Sequence, residues 1–404
     1  METEKHTRDS SRNSSSMEER RAALSLACFM AEYGWPLRVP TQKMTMKELW
    51  GCPDALLAGL LKLPRKALPR LMEFRKRFSA TAMLDQFERD GTGLVTLGEP
   101  DYPSCLAQIH DPPPALFMKG ATPLPEIMGQ PRVAIVGARA ASRYGIDAAS
   151  GIARGLARFS VSVVSGMALG IDAAAHTGSL ERRGRNPGSD PSSDPGHSAI
   201  RNYGHSLAVL GCGPDVVYPP SNRALYASLL HHGLVISEYP PGTQPMPWRF
   251  PARNRIMAGL SDAVIVVEAR AKSGSLITAD FALDEGREVF AVPGSIFSKL
   301  SSGPHALIRN GAAAVTSAED VLESLGLELE QQSLSLLDTD PAAAPPGLSD
   351  EEHRLFLALE ALPAHPDILA SRARLSTATS AAALISLELK SLASLEPGRG
   401  YRLP

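Results

Sequence analysis

The chain has 404 residues, of which 44% are hydrophobic and 21% charged, so it is long enough for two or three globular domains with substantial cores. Its formal net charge of −2 excludes a protein that coats itself with nucleic acid through bulk positive charge, so a polyanion must bind at a local cluster of cations. Four widely spaced cysteines without a C-x-x-C pair argue against a disulfide framework and a zinc site. The polar N-terminus lacks a signal-peptide pattern, and no run of about 18 apolar residues predicts a membrane span, so the expected location is cytoplasmic.

The N-terminal third of the chain predicts helices followed by irregular structure. Residues 1–16 are polar and rich in serine, which predicts a disordered tail. Residues 17–82 carry apolar clusters separated by Pro and Gly, which predicts a small helical domain. Residues 83–131 contain three consecutive prolines that bar regular helix, and they are interpreted as a connecting segment.

From residue 132 to residue 326 the pattern of apolar residues changes, and the new pattern predicts an α/β core. Short runs rich in β-branched residues alternate with small-residue loops and helical stretches; the runs lie at 133–137, 161–166, 207–211, 234–238, 263–269, 288–294 and 313–316. Near-continuous apolar strands alternating with helices indicate a Rossmann-like, doubly wound parallel sheet. Its ligand crevice is expected at the carboxyl ends of the strands.

Three further segments complete the domain organisation. Residues 181–206 are rich in Gly, Pro, Ser and Asp, and they predict a mobile surface insertion within the core. Residues 327–347 are interpreted as a linker. Residues 348–404 show the order of three helices and a terminal hairpin, which is typical of a winged helix.

The loop after the first core strand contains Gly137, Arg139 and Ser142. Glycine permits a tight turn, Ser142 occupies a helix N-cap position, and free N–H groups at a helix start attract anions. The Arg139 guanidinium suits a phosphate. An ordinary capped loop with a solvated arginine fits the same residues equally well.

The loop after the second strand contains Ser165, Gly166, Gly170 and Asp172. The glycines allow a ligand backbone to approach closely, and the two polar side chains can hold the turn. Tight packing of helix against sheet is the competing interpretation. His176 is interpreted as a structural hydrogen-bonding residue rather than as a base.

Two more basic segments follow. Arg253, Asn254 and Arg255 come shortly after Trp248, an arrangement that suits backbone phosphates together with base stacking, although a solvated charge run is the common alternative. A second segment joins two cations, Arg270 and Lys272, to a serine-glycine-serine turn at a predicted helix start, and its candidate site residues are Lys272, Ser273, Gly274 and Ser275. Because these loops should face one crevice, their convergence favours a phosphate-binding site.

The sequence predicts no catalytic residues, no metal site and no cofactor. A G-x-x-x-x-G-K-[ST] loop, paired carboxylates, a metal-ligand cluster and a G-x-S-x-G elbow are all missing from the sequence. Residues 211–216 read GCGPDV, which lacks the third small residue of the dinucleotide fingerprint.

Successive sequence blocks in the core resemble the DNA processing protein A (DprA/Smf) family. The blocks are VAIVGARAASRYG, VSGMALGIDAAAH, LAVLGCGPDVVYPPSN, GLVISEYPPGTQP, FPARNRIMAGLSDAVIVVEARAKSGSLITADFALDEGREVFAVPG and GPHALIRNGAAAV, and they follow the family's order across about 132–325. The N-terminal helices are similar to the family's sterile-alpha-motif-like domain, and the C-terminal residues to its winged helix.

The resemblance implies a protein that binds single-stranded DNA, forms homodimers and loads the RecA recombinase during natural transformation, without being an enzyme. The residues implied to line the DNA groove are Arg139, Ser142, Ser165, Gly166, Gly170, Arg253, Asn254, Arg255, Lys272, Ser273, Gly274 and Ser275, and Gly137 joins them from the first loop.

Two alternatives remain at this stage. The first is a nucleotide hydrolase of the lysine-decarboxylase-like group, whose P-G-G-x-G-T-x-x-E motif supplies a catalytic glutamate; here residues 292–297 read VPGSIF, without that acid. The second is a transcription factor acting through the winged helix. The predicted recognition helix at 379–391 carries only Lys390 as a cation, which favours a protein contact or none over duplex DNA.

Overall fold

The computed structural model describes residues 2–34, 44–181, 203–327, 348–359, 363–390, 392–396 and 400–402. The chain divides into two compact units, Met1–Glu328 and Leu329–Pro404. None of the helices in these described ranges is both long enough and apolar enough to cross a membrane.

Five helices open the larger unit: α1 (Glu2–Tyr33), α2 (Met46–Gly51), α3 (Asp54–Leu60), α4 (Leu68–Arg77) and α5 (Ala80–Arg89). The structure differs here from the expected disordered tail, because the backbone of α1 is already helical at Glu2. No Pro or Gly interrupts the sequence between Glu2 and Tyr33, so the two residue types that most strongly break a helix do not occur within this range.

The predicted connecting segment at 83–131 instead contributes two strands and two short helices: β1 (Gly93–Thr96), α6 (Ser104–Ala107), β2 (Ala115–Gly120) and α7 (Leu124–Met128). β1 pairs antiparallel with β2, and β2 adds to the edge of the main sheet. Leu94 and Phe117 of these strands share one buried cluster with Phe29, Phe74 and Phe87 of the helices. The N-terminal helices therefore belong to the same compact unit as the sheet.

Seven parallel strands form the rest of the sheet, and all seven coincide with predicted runs. In chain order the elements are β3 (Arg132–Val136), α8 (Arg143–Arg158), β4 (Ser162–Ser165), α9 (Ile171–Leu180), β5 (Ser206–Leu210), α10 (Arg223–His232), β6 (Leu234–Ser237), α11 (Arg249–Leu260), β7 (Ala263–Val266), α12 (Gly274–Asp284), β8 (Glu288–Ala291), α13 (Ser302–Arg309), β9 (Ala313–Ala314) and α14 (Ala318–Ser324). The strand order is β1-β2-β6-β5-β4-β3-β7-β8-β9.

Alternation along the strands places apolar side chains on both faces of this sheet. Ala134 and Val136 of β3 join the cluster beneath α11 and α12, whereas Val133 and Ile135 join the cluster beneath α8 and α9. The chain winds outward from β3 to β6 and then returns to place β7 on the other side of β3. The carboxyl ends of β3 and β7 therefore border the crevice where ligands bind in doubly wound folds.

The smaller unit has the predicted winged-helix order: α15 (Asp350–Ala358), α16 (Pro366–Ala373), α17 (Thr377–Leu389), β10 (Ser394–Glu396) and β11 (Gly400–Arg402). Its own core contains Leu355, Leu369, Leu384, Leu387 and Tyr401. The predicted insertion and linker fall almost entirely on 182–202 and 328–347, which lie outside the described residues.

Candidate functional site

A cleft of about 250 Å³ opens at the carboxyl edge of the sheet, at the point where the winding direction reverses. It brings together the loops after β3, β4 and β7 with the first half of α11. Its lining residues are Val136, Gly137, Arg139, Ala168, Asp172, Pro251, Arg253, Asn254, Met257, Ser273, Gly274, Ser275 and Thr278.

The loop after β3 supplies an exposed cation and an aromatic neighbour. The Arg139 guanidinium lies over the Phe250 ring, 5.3 Å from its centroid, and the Phe250 ring lies 5.2 Å from that of Tyr218. Gly137 is required by packing, because a Cβ atom there would overlap the side chain of Ile171. Arg139 thus presents its charge at the mouth of the cleft, beside aromatic surface.

The start of α8 is capped as predicted, but it already holds an anion. Ser142 is the N-cap, and its hydroxyl accepts a hydrogen bond of 3.1 Å from the Gly145 N–H group. The buried Glu268 carboxylate accepts hydrogen bonds from the Ser142 hydroxyl at 2.5 Å and from the Ser142 N–H group at 2.8 Å. The chain's own carboxylate therefore occupies the position that the sequence suggested for a phosphate.

The residues after β4 are engaged in packing. The Ser165 hydroxyl is fully buried and donates to the Ile135 carbonyl oxygen at 2.6 Å. A Cβ atom on Gly166 would overlap the guanidinium of Arg253, and one on Gly170, whose φ is +75°, would overlap the backbone at Arg139. Small residues are needed here so that the helices and the loop can lie close together.

Arg253 lines the floor of the cleft as a buried structural cation, with 3% of its surface exposed. Its guanidinium donates to the carbonyl oxygens of Gly166, at 3.0 Å, and Val209, and it approaches the Asp172 carboxylate to 4.0 Å. It also donates to the amide oxygen of Asn254 at 3.2 Å. Burial lowers the pKa of Arg253 and raises that of Asp172, which disfavours both charges, and the charge of each partly offsets this effect on its partner.

Arg255 lies outside the cleft. Its guanidinium forms an ion pair of 2.7 Å with Glu238 and donates to the Asp111 carbonyl oxygen at 2.8 Å. It lines a separate cavity of about 850 Å³ between α1 and α11, where Asp284 and Glu285 add further carboxylates. A surface with this excess of negative charge repels a polyanion, so the smaller cleft is the better candidate for a phosphate site.

The loop after β7 supplies cations and a helix start. Arg270 and Lys272 are exposed, and neither forms an ion pair with any residue in the described part of the chain. Ser273 caps α12, its hydroxyl lying 2.8 Å from that of Ser275, and the Asn254 amide donates to the Gly274 carbonyl oxygen at 3.2 Å. The first turn of α12 therefore faces the cleft, next to unpaired positive charge.

Sequence reasoning missed two polar groups of this region. Glu268 is one, because its partner Ser142 lies 126 residues away in the sequence. Thr278 is the other: its hydroxyl lines the cleft, is buried, and has no hydrogen-bond partner among the described residues. A threonine one turn into a helix is indistinguishable in sequence from an ordinary packing residue.

The cleft combines cations, a helix start and an aromatic surface, and each of these groups can contact an anionic or aromatic ligand. His176 is fully buried and its Nδ1 lies 2.8 Å from the Ser206 hydroxyl; burial, and then the charge of Arg253, lower its pKa to about 3. The described residues contain no group of three or more His, Cys, Asp or Glu side chains that could hold a metal ion.

The winged helix offers little positive charge along its predicted recognition helix. Lys390, which directly follows α17, donates to both Glu352 carboxylate oxygens, at 2.7 and 2.8 Å. The same carboxylate accepts a hydrogen bond from the Ser386 hydroxyl at 2.5 Å. Since Glu352 neutralises Lys390, this helix has no cation left at that end with which to hold a phosphate.

Comparison with known proteins identifies relatives along most of the chain. The family described as DNA recombination-mediator protein A matches residues 93–189 and 195–326, and the DprA winged helix domain matches residues 339–399. The chain is 32% identical to Protein Smf of Synechocystis over 384 residues, covering 88% of this chain and 92% of that protein.

Two further comparisons concern the pneumococcal relative. The chain is 46% identical to DNA processing protein DprA of Streptococcus pneumoniae over 221 residues, covering 55% of this chain and 70% of that protein. The crystal structure of DprA from the same species aligns with a TM-score of 0.55 at 38% identity, covering 67% of this chain and 86% of that chain.

Proposed function

The chain belongs to the DNA recombination-mediator protein A family, and from this premise we propose that its cleft binds single-stranded DNA for recombination. The observation that carries the proposal is the convergence of Arg139 with the turn Ser273–Ser275 in one cleft, where the exposed Lys272 directly precedes that turn. Had these loops opened onto different faces, one flexible polyanion could not have reached them together.

The chemistry of the cleft suits a single strand better than a duplex. Exposed guanidinium and ammonium groups hold phosphates, and the start of α12 offers backbone N–H groups to the same anions. The Phe250 and Tyr218 rings beside Arg139 can stack with unpaired bases, whose faces a duplex keeps covered. Such contacts tolerate any sequence, so we expect little base specificity.

Within the cleft we assign the groups different roles. Arg139 and Lys272 would contact phosphates, and Ser273, Gly274 and Ser275 would present the helix start. Arg253, Asn254 and Ser165 would hold the floor in shape. Arg255 is left out of the DNA surface because Glu238 and Asp111 engage its charge.

The experiment is a salt titration of binding to a labelled oligo-dT, followed by fluorescence anisotropy. The logarithm of the affinity should fall linearly with the logarithm of salt concentration, with a slope of about −0.7 per phosphate contacted. Arg139→Ala and Lys272→Ala should each reduce the magnitude of that slope by about 0.7 and weaken binding to every sequence alike.

Lys66→Ala is the matched control, because Lys66 is also an exposed, unpaired cation in the described structure but lies on the helical region that packs against β1 and β2. It should leave the slope unchanged. Parental affinity in both Arg139→Ala and Lys272→Ala would overturn the proposed surface. Equal affinity for duplex and single strand would overturn the choice of ligand.

We further propose that the bound strand is protected and then passed to the RecA recombinase during DNA uptake, and that the protein works as a homodimer. The family's description as a recombination mediator supports the handover. The test is RecA filament formation on an oligonucleotide coated with single-strand-binding protein, with and without this protein. Acceleration that is lost in Arg139→Ala supports the handover, whereas no acceleration by the parent contradicts it.

A nucleotide-hydrolysing role finds less support. The Asp172 carboxylate, which lines the cleft, lies against Arg253, and the Glu268 carboxylate is held by the start of α8. Incubation with nucleoside monophosphates should therefore release no free base.

A further inference from the structure

The loop after β8 ends in an apolar tip that the fold leaves in solvent. Phe297 is 91% exposed and the adjacent Ile296 is 80% exposed, making them more exposed than most large apolar side chains of the described chain. Exposing an aromatic ring in this way forgoes the stabilisation that its burial would give. A pair of such residues at a loop tip is therefore a candidate contact for a ligand or partner.

The loop is tied to both cationic loops of the cleft. The Tyr144 hydroxyl, in the first turn of α8, donates to the Pro293 carbonyl oxygen at 2.6 Å. On the other side, the Ala269 N–H group donates to the Leu300 carbonyl oxygen at 2.7 Å, and Gly303 donates back to Ala269 at 2.8 Å. The apolar tip is thus carried at the same carboxyl edge of the sheet as Arg139 and Lys272.

The loop that carries the tip also lies next to the loop that borders the cleft, because the strands before them are neighbours. β8 is the immediate parallel neighbour of β7, so the loops that follow them start about 4.8 Å apart. A strand of nucleic acid leaving the cleft past the start of α12 would meet the loop after β8 next.

The charges nearby indicate what would occupy the tip. Lys299 follows Phe297 by two residues, and Arg270 and Lys272 lie on the neighbouring loop; all three are exposed and form no ion pair with other residues of the described ranges. An aromatic ring on a loop that carries a cation, beside a second cationic loop, suits single-stranded nucleic acid, because the ring can stack on a base while the cations hold phosphates.

We propose that Phe297, supported by Ile296, is a base-stacking platform that extends the single-strand path from the cleft across the loop after β8. This inference rests on the proposed function and adds a residue that the basic-loop pattern of the sequence did not indicate. It commits to a nucleobase as the occupant. A contact between two copies of the chain is the competing occupant that the experiment must separate.

The test compares the parent with Phe297→Ala on an oligo-dT long enough to cross both loops. Removing the ring should weaken binding about tenfold, which corresponds to the loss of one stacked base. Phe297→Trp should bind like the parent because it keeps the aromatic face. Phe297→Leu keeps apolar area without that face, so it should bind nearly as weakly as Phe297→Ala. The salt slope should stay the same in all three variants, since no phosphate contact is removed.

An abasic oligonucleotide gives the discriminating measurement. The difference between parent and Phe297→Ala should close on that substrate, because no base is left to stack. A tenfold loss that persists on the abasic strand would overturn the proposal, as would parental binding by Phe297→Ala on oligo-dT. Leu56→Ala, which truncates another exposed apolar residue on α3, is the control and should leave binding unchanged.

Sedimentation velocity of the parent and Phe297→Ala measures the oligomeric state, and so it distinguishes a nucleobase from a second copy of the chain as the occupant of the tip. An unchanged oligomeric state accompanying the loss of affinity supports the platform, whereas a shift to smaller species would assign the tip to a contact between copies. Failure of the platform is distinct from failure of the proposed function. If the parent itself shows no salt-dependent binding to oligo-dT, the proposed function is wrong. If the parent binds in this way but the Phe297 variants bind as well as the parent, only the proposed stacking platform is wrong.

Discussion

Replacing Arg253 by Ala should destabilise the larger unit instead of simply removing a phosphate contact. The guanidinium holds the carbonyl oxygens of Gly166 and Val209, and it is the cation nearest to the buried Asp172 carboxylate. Removing one partner of a buried charged pair typically costs about 3–5 kcal/mol, because the other charge stays behind without compensation. Arg253→Lys should recover little of this loss, since an ammonium group cannot reproduce the planar fork of a guanidinium.

Urea unfolding followed by tryptophan fluorescence measures this cost without interference from the winged helix. All three tryptophans, at 35, 50 and 248, belong to the larger unit, so the signal reports on its unfolding alone. Arg253→Met combined with Asp172→Asn should regain part of the lost free energy of unfolding, because it removes both charges together.

Arg139→Ala is the matched comparison. Arg139 is exposed, so its truncation should change the free energy of unfolding by no more than about 0.5 kcal/mol while weakening DNA binding. If Arg253→Ala unfolded at the parental urea concentration but bound DNA poorly, the structural role argued here would be refuted and a direct phosphate contact favoured.

Two further predictions concern buried neighbours of Arg253. Gly166→Ala should lower the free energy of unfolding, measured in urea, by about 1–3 kcal/mol, because its methyl group would overlap the Arg253 guanidinium. If Gly166→Ala lowered the free energy of unfolding by the same amount in the Arg253→Ala background, the overlap with Arg253 would not be the reason. His176 should stay neutral in the folded state to about pH 3 while the unfolded state binds a proton below about pH 6.5, so stability should fall by about 2 kcal/mol from pH 7 to pH 5. His176→Gln should flatten that decline in urea unfolding, and an unchanged slope would show that other groups cause it.

The sequence was most informative where structure is decided by local pattern. Every parallel strand coincides with a run that is predicted from its β-branched and apolar residues. The cap at Ser142 could be recognised from its position after a strand-ending glycine. β1 and β2 were missed because the three prolines at 112–114, just ahead of Ala115, indicated irregular structure for the whole segment. Prolines bar helix but leave a strand free to begin directly after them.

The candidate site was less predictable, because long-range partners decide which polar residues are free. Arg253 and Arg255 look equivalent in sequence, yet the first reaches the carbonyl oxygen of a residue 87 positions away and the second pairs with Glu238. Glu268 fills the start of α8 from 126 positions away. Nothing within a local window distinguishes these engaged groups from Arg139, whose charge stays at the surface.

Some cations of this chain are compensated inside the fold and others are exposed at one edge of the sheet. This division explains how a chain with a net charge of −2 can hold a polyanion. The buried Arg253 and the partly buried Arg255 are compensated by carboxylates within the fold, so they contribute little field at the surface. Arg139, Lys272 and Lys299 lie on loops at the same sheet edge, and none of them forms an ion pair with a carboxylate of the described residues. Their field is therefore local, and it acts on a strand only along that edge. Because added salt screens such exposed charges far more than buried pairs, high salt should release DNA while leaving the fold intact.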